Sequence, residues 1–465
     1  MANITHWRRQ LNSSLLVHAS AGEALSAKVI EQHCRRAGHR WRESFWSPPM
    51  TLLAFLLQVL SAEKTLRAAV AALLAQLAAR GDTKLPSSDA SAYCQARRRL
   101  PAASVDSLGR AVADRVQDLV GLEYRWHGHR LKVVDGTTVS MPDMAALQKA
   151  FPQPPAQRPG CGFPCARLVV MFCWATGAVT HMALGNLHTG ELTLFRKNRG
   201  QWLQPGDVVL ADRYYCSYVD IAQLQQQGVF CLLRLHQRRK ADFRRGQRLG
   251  HDDQLVTWSR PEQWFASFGL SRKEFAQLPE TLTLRLIRIT HVPKGFRSRI
   301  ILVVTTLLDP VAYPADEVRV LFRDRWTAEL NLRSLKTHLG MDVLRGESPD
   351  VVRKEIAMHL LAYNLIRLLM WQAAREHGRV LHRLSFTGTL HRLRRVLPLA
   401  MLLFSRGATH LQRLSMCLLK WIAEDDLPSR PNRCEPRRKK RRPKEYSLLN
   451  KPRSWYHKHG DTHAR

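Results

Sequence analysis

Three acidic residues stand where carboxylates can do chemistry. Asp135 closes the apolar run of LKVVDGTTVSM, Asp212 closes that of DVVLADRYYCSY, and Glu329 lies within FRDRWTAELNLRSLK. Open α/β sheets place ligands at the carboxyl ends of their strands. A lone aspartate there is more often a turn former or a helix cap, so neither Asp135 nor Asp212 is diagnostic by itself. If the stretch around Glu329 is one helix at about 100° per residue, Phe322, Arg325, Glu329 and Lys336 share a sector about 60° wide, with Arg333 near its edge. Trp326 and Leu330 flank this stripe on one side, and Leu321, Leu332 and Leu339 on the other. A solvated face would instead divide into one polar and one apolar half. Two readings stay open. Arg325 and Glu329 form an i,i+4 surface pair worth about 0.3–0.5 kcal/mol, or Glu329 is a third metal-binding carboxylate with Arg325 and Lys336 gripping phosphates beside it. In the second reading, two hard cations about 3.5–4 Å apart activate one oxygen and neutralise another, and carboxylates plus substrate phosphate suit Mg²⁺. That is phosphodiester chemistry.

The elements that must position these residues follow from the hydrophobic pattern. Helical periodicity runs from Ile4 to about Pro101, with Ser47-Pro48-Pro49 as a break and helix start. The basic HCRRAGHRWR and YCQARRRLP suit a helix-turn-helix reader of DNA, although arginine-bearing amphipathic helices are more often ordinary bundles. After a bridging helix over 102–130, strands are expected in LKVVDGTTVSM, RLVVMFCWAT and AVTHMALGNL, the last two joined by a hairpin at Thr176-Gly177. A helix, a strand at DVVLAD, a second helix closed by Gly228 and a strand at VFCLLRL complete a mixed α/β order. The expected division is an N-terminal helical DNA-binding domain over 1–101, the bridging helix, a core over 131–236, a basic, mostly β insertion over 237–280, and a second core part over 281–370. A C-terminal helical region over 371–427 and a basic, disordered tail over 428–465 follow.

Bulk composition points to the same partner. Of the 465 residues, 72 are Lys or Arg against 38 Asp or Glu, a formal charge of +34 that exceeds what solubility needs and favours a polyanion. The segment from Pro428 carries 13 Lys/Arg and three acids, so +10 sits there and +24 elsewhere. RRKKRRPK from Arg437 therefore reads as a salt-sensitive DNA tether rather than a targeting signal. Nine cysteines and no signal-peptide pattern in MANITHWRRQ suit free thiols in a reducing cytoplasm. TLLAFLLQVL is too short to span a bilayer, so no membrane partner is expected.

With these residues in view, the chain resembles the bacterial cut-and-paste DDE transposases of the insertion-sequence-four family. The family motif Tyr-x2-Arg-x3-Glu-x6-Lys falls on Phe322, Arg325, Glu329 and Lys336, with phenylalanine in place of tyrosine. The first family aspartate falls on Asp135 and the second on Asp212, with Arg213 beside it, and the likeness runs from about Leu131 to Arg367. The resemblance implies a ribonuclease H-like core in an α/β protein, with a mostly β insertion between the second aspartate and the glutamate. It implies Asp135, Asp212 and Glu329 as catalytic residues and ligands of two Mg²⁺ ions, with Mn²⁺ as a substitute. Arg325, Lys336, Arg213, Phe322 and Arg333 are the expected DNA-binding residues. The implied partners are terminal inverted repeats and target DNA, bound by a homodimer in a synaptic complex in the bacterial cytoplasm, at the nucleoid. A non-catalytic DNA-binding regulator and a nuclease without strand joining are the alternatives.

Weaker signals have blander explanations. Cys161 and Cys165 have no second Cys/His pair at finger spacing, so zinc is not expected. Glu191 opens an expected helix, where its carboxylate favours the helix dipole. Trp258 or Trp264 could stack on an extruded base, although a buried tryptophan is the commoner case.

Overall fold

The computed structural model describes residues 25–79, 81–82, 85–291, 299–403, 408–427, 446 and 448–459. Among the described residues, five helices come first: α1 (Ala27–Arg36), α2 (Pro48–Leu60), α3 (Leu66–Ala79), α4 (Ser91–Arg99) and α5 (Ala102–Asp118). Pro48 and Pro49 occupy the first turn of α2, where the missing N–H groups cost nothing. All 13 residues of α2 are buried, as its almost uninterrupted apolar sequence demands.

The chain then enters the sheet through β1 (Leu131–Ser140), α6 (Ala145–Ala150), β2 (Cys165–Cys173), β3 (Val179–Asn186), α7 (Glu191–Trp202), β4 (Val208–Ala211), α8 (Tyr218–Gln226) and β5 (Phe230–Arg234). A meander follows, β6 (Gln247–Gly250), β7 (Asp253–Ser259), α9 (Arg272–Ala276), β8 (Thr281–His291) and β9 (Arg299–Thr305). All nine strands form one sheet in the order β3-β2-β1-β4-β5-β9-β8-β7-β6. β1 runs antiparallel to β2 and parallel to β4, and β4 is parallel to β5. The order 3-2-1-4-5 with this mixture of directions is the ribonuclease H-like arrangement. β8 and β9, expected in the second part of the core, lie outside those five strands. β9 pairs antiparallel with β5 and carries β8, β7 and β6 outward on the same sheet.

Strand alternation assigns the sheet's two faces. Leu131, Val133, Val208 and Leu210 belong to one apolar cluster, and Val134, Val209 and Ala211 to the other. Being covered on both faces is why β4 is apolar throughout. The first cluster packs against α10 (Ala315–Asp324), α11 (Thr327–Arg333), α12 (Pro349–Glu376), α13 (Phe386–Leu403) and α14 (Ala408–Ala423). The second packs against α7 and α8. Another helix, α15 (Arg453–His459), falls in the stretch expected as a disordered tail; residues 428–445, 447 and 460–465 lie outside the described residues.

α12 ties these layers together. Tyr363 donates to Gly177 O at 2.8 Å, and Asn364 both accepts from Val179 N and donates to Val179 O, each at 2.8 Å. The amide thus satisfies backbone groups of the edge strand β3, which would otherwise be open to another chain. Gly177 takes φ 67° in the expected hairpin, and a Cβ there would strike the Arg367 guanidinium of α12. On the other side, Lys354 of α12 is 1% exposed and donates to Arg98 O at 2.8 Å and Arg97 O at 3.3 Å, capping α4. The helices of residues 25–118, which fall in the expected helical domain over 1–101 and the expected bridging helix over 102–130, share one core with the sheet and the C-terminal helices.

Candidate active site

The parallel pairing of β1 with β4 sets the first two acids. Leu131 lies opposite Val208 and Val133 opposite Leu210, and the same offset continued two residues puts Asp135 level with Asp212. Alternation turns both side chains toward the face covered by α10–α12. β4 stops at Ala211, whereas β1 runs on past Asp135 to Ser140, paired with β2 and, at Ser140 only, bridged to Val343. Asp135 is therefore inside its strand rather than at its end, on an edge opened by the shorter neighbour. Asp212 caps a 3₁₀ turn over Arg213–Tyr215, its Oδ1 accepting from Tyr214 N at 2.7 Å. Asp135 Oδ1 accepts from Gly136 N at 2.9 Å.

Burial pushes the Asp135 carboxyl up to about 6; the Gly136 hydrogen bond and Arg325 oppose this, while Glu191 and Asp212 add to it. Arg325 is thus near enough for its charge to act on Asp135. Arg234, at the end of β5, joins the same edge: burial lowers its guanidinium, with Arg213 and Arg325 acting the same way and Asp212 against them. Arg213 also donates to Gln237 Oε1 at 2.9 Å.

Glu329 lies on α11, which packs against β1, but it is turned to Arg325 at 3.2 Å with its own side chain 40% exposed. Among the described residues, no three His, Cys, Asp or Glu side chains converge at metal-holding distance. The helix carrying it is not the continuous one on which the stripe was drawn. Bonds Arg325 N to Phe322 O, Trp326 N to Arg323 O and Ala328 N to Arg325 O tighten the chain between α10 and α11. Ser334–His338 then widens into a π-helical turn, a feature that often marks functional sites. Lys336 lies half-buried in that turn, and Arg333 is exposed. Phe322 is 5% exposed in the core, its ring 6.0 Å below the Arg325 guanidinium, so it meets that cation and not solvent.

Two residues of this edge escaped the sequence reading. Arg234 ends an apolar strand and carries no motif. Glu191, read as a helix-start acid, lies over Gly136 and accepts from Tyr215 Oη at 2.7 Å. The pairing of a glycine after Asp135 with an acid after β3 was the available signal. Trp258 and Trp264 are both half-buried and engaged: Arg239 stacks 3.7 Å over Trp258, and Trp264 donates to Leu270 O at 2.8 Å.

Residues 126–365 match the transposase DDE domain family. The chain is 27% identical over 368 residues to the transposase InsG for insertion sequence element IS4 of Escherichia coli K12, covering 78% of each protein. A piggyBac transposase synaptic complex with hairpin DNA aligns over 90% of this chain and 86% of that one, with a TM-score of 0.42 and 9% identity. With a family match that spans more than half of it, and the InsG relative beside it, the chain is a member of the DDE transposases, in the insertion-sequence-four family.

Proposed function

We propose that this transposase binds the terminal inverted repeats of an insertion element, nicks DNA to expose 3′-hydroxyls, and joins those ends to target DNA. The observation that carries this reading is the level placement of Asp135 and Asp212, with Arg213, Arg234 and Arg325 around the same edge. Asp135, Asp212 and Glu329 are the proposed catalytic residues and the ligands of two Mg²⁺ ions, for which Mn²⁺ substitutes. The donors suit such ions: they are hard carboxylate oxygens, and burial holds the Asp135 carboxyl above its usual range in the absence of a cation. Bound metal supplies Lewis acidity at the scissile phosphate and a nucleophilic oxygen at neutral pH.

The chain's own residues do the remaining work. Arg325, Lys336, Arg213 and Arg333 neutralise and orient DNA phosphates, and Phe322 supports Arg325 from below. Glu329 reaches the aspartates when Arg325 turns from it to a phosphate. In the nick, a water oxygen bonds to phosphorus as the bond to the 3′ oxygen breaks, and that oxygen leaves as a 3′-hydroxyl. In joining, the hydroxyl oxygen attacks a target phosphodiester and releases the target's own 3′-hydroxyl. Residues 1–101 are proposed to contact the element ends, and a homodimer to bring two ends together.

The test uses the purified full chain with paired element ends and Mg²⁺ or Mn²⁺. Wild type should cut and then yield a joined donor–target product, which separates a transposase from a plain nuclease. Asp135→Ala, Asp212→Ala and Glu329→Ala should each retain DNA binding and lose cutting; cutting by all three refutes the assignment. A non-catalytic regulator is favoured by one observation, the Arg325–Glu329 pairing that holds the glutamate back. Tight binding without cleavage under every divalent ion would select it.

A further inference from the structure

The wide turn that carries Lys336 is held from outside its own helix. Leu339 N donates to Ser334 O at 2.9 Å and Met341 N to Leu335 O at 3.3 Å, and Gly340 ends the turn in the left-handed region at φ 72°. The last carbonyls of a helix have no partner within it. Here Leu339 O accepts from the Lys64 ammonium, which reaches across from the loop between α2 and α3. A Cβ at Gly340 would collide with that ammonium, so the glycine leaves the space it occupies. Beyond the turn, Asp342 O accepts from Ser140 N at 2.9 Å and Leu344 N donates to Ser140 O at 2.8 Å, at the end of the strand that carries Asp135. The turn thus lies between two fixed points, the end of β1 and the α2–α3 loop.

The loop is built to hold Lys64 in place. Lys64 is a non-glycine residue at φ 57°, a conformation that persists only where the surroundings over-determine it and that clusters at functional positions. Its N–H donates to Ser61 Oγ at 2.9 Å, and its carbonyl accepts from Gln58 Nε2 at 3.0 Å. Gln58 is itself 5% exposed, and its Oε1 accepts from the hydroxyl of the buried Tyr93 of α4 at 2.9 Å. Arg394 of α13 donates to Leu60 O and, at 3.5 Å, to Ser61 O, which closes the end of α2. Lysines usually keep their ammonium in water. Burial instead lowers this one to about 8, with Arg394 and Arg345 acting the same way and Glu355 and Asp342 against them.

We infer that Lys64 is a positioning residue for the cutting step: it fixes the turn at Leu339 and so holds Lys336 where that residue meets a DNA phosphate. This rests on the proposed reaction and on the role proposed there for Lys336. It ties the N-terminal helices, through one ammonium, to the helix of Glu329.

Single-turnover cutting of paired element ends by saturating full chain with Mg²⁺ tests this, with DNA affinity read alongside by fluorescence anisotropy. Lys64→Met should slow cutting about tenfold or more, the size of loss that a misplaced group produces, and leave the Kd for DNA within about twofold. Lys336→Ala should also slow cutting. Because Lys64 acts through that residue, adding Lys64→Met to Lys336→Ala should cost less than about a further twofold, whereas independent groups would multiply. Thermal melts establish folding; if Lys64→Met does not fold, Lys64→Gln, which keeps a shorter donor, carries the same expectation with a smaller loss. A folded Lys64→Met chain that cuts like wild type, or whose loss multiplies fully with that of Lys336→Ala, overturns the role of Lys64 and leaves the proposed reaction standing. Wild type that binds the ends and never cuts, or a Lys336→Ala chain that cuts like wild type, overturns the reading beneath it as well.

Discussion

A carboxylate at a sheet edge is informative because of what surrounds it. Asp135 is flanked by Asp212 and Glu191, and Arg325 does not offset the combined burial and repulsion, so its carboxyl sits at about 6 rather than near 4. The sign of the consequence is fixed by linkage. A carboxyl whose folded value is raised favours folding in its protonated form, a contribution complete below about pH 4 and lost as pH rises through about 6. At neutral pH without metal, the ionised group is therefore a net cost of about 3 kcal/mol. Asp135→Asn is expected to raise the melting temperature of the metal-free protein by several degrees at pH 7.5, with the gain vanishing near pH 4, as read by circular dichroism. A lower melting temperature for Asp135→Asn at pH 7.5 would mean that the acids do not repel one another in the folded chain.

Among the elements, α2 and the α10–α11 junction do most to define the site. The buried α2 sits against α12, which in turn clamps β3 and caps α4, so disturbing α2 disturbs the whole assembly. Phe55, fully buried within it, should cost about 3–5 kcal/mol when cut to alanine. If residues 25–118 and the sheet truly share a core, Phe55→Ala will shift one cooperative unfolding transition. Separate transitions for the helices and the sheet would contradict that packing. The junction bears on chemistry: a tight turn before Glu329 and a wide one after Arg333 decide which of Glu329, Arg333 and Lys336 look at the aspartates.

At the scale of the whole molecule, charge governs. With +34 over the chain and +10 of it beyond Leu427, non-specific DNA affinity should fall on the order of 10³-fold between 50 and 200 mM salt, measured by fluorescence anisotropy. Truncation after Leu427 should reduce the slope of log affinity against log salt without abolishing binding, because +24 remains. A truncated chain with no salt dependence would place all DNA contact in the tail. No helix among the described residues is long and apolar enough to cross a membrane.

The candidate site was legible where local rules suffice. Apolar runs ending in aspartate foretold β1 and β4, because a strand covered on both faces must be apolar and its first acid marks an edge; the i,i+4 spacing foretold the Arg325–Glu329 pair. The ribonuclease H-like order came with the family resemblance, since strand order is a long-range property that periodicity does not encode. What only the tertiary structure decided depends on contacts between distant segments. Glu191 meets Gly136 because α7 covers the sheet face to which Gly136 turns, α2 shares a core with α12 because it is apolar all round, and the helix around Glu329 changes its winding where it packs on β1. A sequence fixes which residues are able to ionise; the fold fixes which of those charges must be close enough to repel.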